Sequence, residues 1–203
     1  MLAPVRRQRH ESCALACIAI ACLVAYGAGA SDVPNAGRAS VSANAAIIAR
    51  VGDDFFRLNI TPQSAHWYPP EESFIARPNG YFLVSYRLQI PQFPFVDTVI
   101  ECIADSDGRV SNLTGAPDCI HEPHRCIFPV DQVAAGVIAE KAGLELGTEA
   151  WRFHFHWNQK YQAYVWTVST TLARHKSSGE GRVIVIDAND GRVLEILNWF
   201  EMS

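Results

Sequence analysis

Cys119-Ile120-His121-Glu122-Pro123-His124-Arg125-Cys126 brings two cysteines and two histidines within eight residues. Cys119, His121, His124 and Cys126 have the chemistry to surround a Zn²⁺ ion tetrahedrally. Their spacing argues the other way, because the two intervening residues usual within a zinc-binding cysteine pair are absent and Pro123 stiffens the middle. The preferred reading is a Cys119–Cys126 disulfide that closes an exposed loop with two solvated histidines, and zinc is the alternative cofactor. A second cluster lies in Trp151-Arg152-Phe153-His154-Phe155-His156-Trp157. Alternate residues of a strand face the same way, so Arg152, His154 and His156 share one face and the aromatic residues share the other. Two histidines at this spacing can bind a metal or respond to pH. The clean alternation favours the simpler reading, a wet face carrying polar side chains.

Other acidic and nucleophilic residues form no recognisable catalytic set. Asp187-Ala188-Asn189-Asp190-Gly191 has its glycine one position too early for a calcium loop, and Asn198 stands where the bidentate glutamate belongs. A hairpin turn accounts for it, as for Asp105-Ser106-Asp107-Gly108. No G-x-S-x-G elbow, H-E-x-x-H, P-loop or Rossmann glycine pattern is present. The expectation is therefore a protein without catalytic residues.

The chain begins with Arg6, Arg7 and Arg9, followed by C-A-L-A-C-I-A-I-A-C-L-V-A-Y and Ala28-Gly29-Ala30. A basic start, a short apolar run and an A-x-A site predict a signal peptide over 1–30 and a periplasmic or secreted product with no stable membrane span after cleavage. The whole chain carries 17 Lys and Arg against 21 Asp and Glu, a formal net charge of −4. Cleavage makes the remainder more acidic, since it removes three arginines and only one carboxylate, Glu11. That balance argues against a nucleic-acid partner. Cys102, Cys119 and Cys126 would remain, one pair and one leftover thiol. Cys102 sits in an apolar strand pattern and suits a buried free cysteine.

Residues 31–41 predict a flexible lead, and 42–51 a short helix capped by Ser42 or Asn44 and ended by Gly52, with a strand as the competing reading. T-P-Q-S-A-H-W-Y-P-P-E-E reads as a proline-broken stretch. S-F-I-A, the Asn79-Gly80 turn, Y-F-L-V-S-Y-R-L-Q-I and T-V-I-E-C-I-A then predict a hairpin and a strand. P-V-D-Q-V-A-A-G-V-I-A-E-K-A-G predicts a helix with Val130, Val133, Ala134, Val137 and Ile138 as its apolar face, Asp131 in its first turn and Gly143 as its stop. Trp151 to Leu197 predicts three antiparallel strands, with A-R-H-K-S-S-G-E-G as a polar loop between the second and third. The aromatic face of the first strand is expected to meet the helix.

Asp107-Gly108-Arg109-Val110 repeats as Asp190-Gly191-Arg192-Val193, and Y-F-L-V-S-Y-R-L parallels Y-V-W-T-V-S-T-T-L. The prediction is an α+β protein of two repeated units, each an antiparallel sheet packed against a helix. Residues 42–116 form the first, degenerate unit, 117–128 a linker with the cysteine pair, and 129–203 the second unit.

The order helix, hairpin, strand and the closing I-V-I-D-A-N-D-G-R-V-L-E-I make Phe128 to Leu197 resemble a PepSY domain. Ser73 to Val110 resembles a more degenerate unit of the same kind. The resemblance implies a cystatin-like fold and a role in binding or restraining a peptidase. The functional expectation is an exported, non-enzymatic binding module for a peptidase or extended peptide, with a metal-binding envelope protein using the cysteine-histidine linker as the alternative.

Overall fold

A computed structural model describes residues 35–72, 78–175 and 178–202. The predicted signal peptide, the start of the predicted lead and the S-F-I-A strand lie outside the described residues. Helix α1 (Ala36–Val51) starts where the lead was expected to continue. Its cap is Asn35, whose side chain accepts a hydrogen bond from the Gly37 N–H, rather than Ser42 or Asn44. Ala39, Ala43, Ile47 and Val51 recur at helical spacing and are buried. Burial of that stripe, more than local propensity, extends the helix through its small polar start. Gly52 stops it as expected, at φ 86°.

Helix α2 (Asp53–Asn59) leads without a gap into strand β1 (Ile60–Tyr68). The stretch read as proline-broken is thus largely strand. Pro62 is tolerated because β1 is a sheet edge and its register slips between Pro62 and Ser64. A 3₁₀ turn (Pro70–Glu72) and the Asn79-Gly80 turn precede β2 (Tyr81–Ile90), which pairs back onto β1. Asn79-Gly80 therefore ends a longer connection instead of closing a tight hairpin. Strands β3 (Phe93–Ala104) and β4 (Val110–Thr114) complete an antiparallel sheet ordered β1-β2-β3-β4.

The second sheet follows the linker. Helix α3 (Gln132–Lys141) is capped by Asp131, whose carboxylate accepts from the Ala134 N–H. Strands β5 (Arg152–Asn158), β6 (Ala163–His175), β7 (Ser178–Asp187) and β8 (Val193–Met202) form an antiparallel sheet in that order. Four strands replace the three expected, and most of the predicted polar loop belongs to the β6–β7 ladder. The glycines that suggested a loop serve close packing: a Cβ on Gly181 would lie 2.6 Å from the Trp199 ring. The fold is α+β, with two four-stranded antiparallel sheets, each packed with helices.

Helix α3 uses only part of the apolar face read from its sequence: Val130 is buried and Ala134 and Ile138 pack against the core. Ala135 and Ala139 are buried, while Val133 and Val137 are exposed. Small residues let the helix approach the sheet closely, which outweighs the greater area of the valines. The aromatic face of β5 meets α3 at Phe153, which packs against Gly136. Phe155 instead packs on Phe95 of β3 (5.4 Å between ring centres), on Phe128 (6.0 Å) and on Tyr164 (5.1 Å). These rings join both sheets into one core. Two polar handles are satisfied within it, the Tyr164 hydroxyl donating to the Gly115 carbonyl (2.7 Å) and the Trp166 indole N–H to that of Val130 (2.8 Å).

Candidate functional site

The candidate site residues singled out above fall in the linker and on β5, and a third region, the edge of the second sheet, joins them in the structure. In the linker, Cys119 and Cys126 are disulfide-paired, with Cα atoms 5.6 Å apart. That takes both sulfurs away from any metal. The remaining two zinc candidates each face a carboxylate, His121 through Nδ1 at 2.9 Å from Asp118 and His124 through Nε2 at 3.7 Å from Glu122. Among the described residues no three His, Cys, Asp or Glu side chains are grouped to hold a metal ion.

Sequence reasoning missed what the linker does structurally. The Arg125 guanidinium reaches Asp187 at 3.3 Å and Glu122 at 3.0 Å. Asp187 is buried at the end of β7 and also accepts from the Asn189 N–H (2.8 Å). The Asn189 side-chain amide donates to the carbonyls of Arg125 (3.2 Å) and Ile127 (2.8 Å). The Asp-Ala-Asn-Asp-Gly turn is therefore a clasp on the cysteine loop. Its signal was Asp187, a charged residue closing an otherwise apolar strand.

On β5, Arg152 and His154 are exposed and His156 is half-buried, on the face opposite Phe153 and Phe155. The two imidazoles stack at 4.6 Å with planes 20° apart. Burial holds His156 below the usual histidine pKa and the neighbouring His154 adds to the effect. The His154 backbone pulls weakly the other way, without the geometry to satisfy His156 Nδ1, which is buried and unpartnered. Arg152 turns to Glu149, at 2.7 Å.

The third region is the edge of the second sheet. Strand β8 pairs with β7 on one side and has no strand on the other among the described residues. Ile196, Leu197 and Phe200 are 51%, 45% and 74% exposed. Ile196 stands opposite Ile184, on the face that carries α3, but α3 packs mainly on β6 and β7 and Ile196 stays half-exposed. Glu195 is engaged by Lys160 and by the Tyr161 hydroxyl, each at 2.9 Å. Lysine and proline are absent from the strand, and its edge protection consists of Glu195 and the register shift between Val185 and Ile186 at its start. A period-two pattern with apolar residues at both phases, V-L-E-I-L-N-W-F, was the available sequence signal.

Cys102, the free cysteine among the described residues, is buried on β3, and burial pushes its thiol up to about 12. It is a packing residue, not a nucleophile. Comparison with family models, with curated proteins and with solved structures finds no match to this chain.

Proposed function

We propose that the protein is an exported, non-enzymatic binding module that engages an extended peptide or a peptidase by adding a strand to β8. The observation that carries this reading is the open edge of β8 with Ile196, Leu197 and Phe200 exposed along it. Backbone groups on that edge supply affinity for any extended chain, and alternate side chains supply selectivity. The Cys119–Cys126 pair supports an oxidising, periplasmic or secreted setting.

The test combines inhibition of a broad-specificity secreted metallopeptidase, binding of an alternating Val/Thr decapeptide, and amide hydrogen exchange. Inhibition or peptide binding is expected to slow exchange across Val193–Met202. The double substitution Ile196→Lys, Phe200→Lys is expected to remove both effects while leaving the melting temperature unchanged. Neither inhibition nor binding, or protection confined to strands other than β8, overturns the reading.

A further inference from the structure

We propose that His154 and His156 form a two-nitrogen chelate for a borderline divalent cation, Zn²⁺ or its neighbours Ni²⁺ and Cu²⁺. This site lies on β5, the opposite edge of the sheet from β8, and does not depend on the peptide-binding reading. Residues two apart on a strand project from the same face, and here the rings already stand together, 4.6 Å between centres. Two imidazoles bound to one tetrahedral zinc at 2.0–2.1 Å per nitrogen place their ring centres about 5 Å apart. The ring planes are only 20° apart, so both imidazoles must turn about their side-chain bonds for their in-plane lone pairs to converge on a cation, at a separation they already have.

The second observation is the buried, unpartnered Nδ1 of His156. Such an atom in a folded protein asks for an account, and an ion that takes its lone pair is one. His154 finds no ring hydrogen bond of its own among the described residues, so its nitrogens are free to ligate. Arg152, the nearest positive charge on this face, is held by Glu149. Nitrogen donors without a carboxylate select borderline cations over Ca²⁺ and Mg²⁺. Because β5 is an edge strand, the remaining coordination positions open to water or to a small exogenous ligand.

Calorimetric titration of Zn²⁺ into the full chain with its disulfide intact tests this, run beside His154→Ala and the double variant His121→Ala, His124→Ala. His154 is exposed, so its variant is expected to fold, which a metal-free melt checks. The expected result is a single saturable zinc site, weakened at least about tenfold in His154→Ala and unchanged in the linker variant. Imidazole ¹H–¹⁵N spectra are expected to show His154 and His156 shifting together. No saturable binding, full affinity in His154→Ala, or loss in the linker variant overturns the proposal.

Discussion

The two halves of the molecule follow one plan, helix then four antiparallel strands, and differ in how far the helix covers its sheet. Helix α1 has 16 residues and packs against all four strands of its sheet, including the short edge strand β4. Helix α3 has 10 residues and packs on the two central strands, β6 and β7. Each sheet keeps one long edge, nine-residue β1 in the first and ten-residue β8 in the second, but the other edge of the first sheet is only the five-residue β4. Four buried positions in α1 against two in α3 express the same difference. The second half thus keeps Ile196, Leu197 and Phe200 exposed on its edge strand, which is the feature the proposed peptide binding rests on.

The comparison breaks if the halves prove to be equally dependent on each other's contacts. The largest effect is expected at the clasp between linker and second sheet. Arg125→Ala leaves Asp187 buried without its partner and is expected to cost about 3–5 kcal/mol in denaturant unfolding. Adding Asp187→Asn is expected to recover part of that loss, and equal loss in the double variant would show that the pair is not coupled. Next comes the helix contrast. Ile47→Ala, on the buried face of α1, is expected to cost about 2–4 kcal/mol. Val137→Ala, on the exposed face of α3, is expected to stay within about 0.5 kcal/mol. Similar costs at both would mean that α3 is covered in solution. Opening the disulfide with Cys119→Ser, Cys126→Ser releases a loop of sequence separation 7 and is expected to cost about 2 kcal/mol.

Much of this architecture was legible because local chemistry and tertiary need agreed. Gly52 and Asp131 mark helix ends through backbone conformation and capping, and the aromatic strands announce themselves by composition. What was hidden depended on partners distant in sequence. The start of α1 is dictated by the sheet under Ala39 and Ala43, and Pro62 is admissible only because its strand is an edge. The face of α3 inverts the usual ranking by size, since Ala135 and Ala139 are chosen for closeness. At the sites, the Cys119–Cys126 pairing could be read from spacing and the expectation of export. Its clasp could not, because Arg125 and Asp187 are far apart in the chain.

The smallest expected effect concerns His156, and it separates the wet face of β5 from the open edge of β8. Its folded-state pKa lies below 6.5 because burial and His154 disfavour the imidazolium. In the unfolded chain the ring takes its proton near 6.5, so between the two values the unfolded state binds more protons and stability rises with pH. The contribution is complete above about 6.5, is lost as pH falls through the folded-state value, and then levels off. Asp97, Asp118 and Glu195, whose pKa values are also lowered, titrate at more acidic pH and leave this window to histidine. Denaturant melts between pH 5 and pH 8 with a chelator present are expected to show a shallow positive slope (roughly the histidine range). His156→Gln is expected to flatten that slope, and His154→Gln to reduce it by removing the neighbouring charge. Peptide binding at β8 is expected to keep its pH profile in both variants. A change there would tie the two edges of the sheet together and undo the division between them.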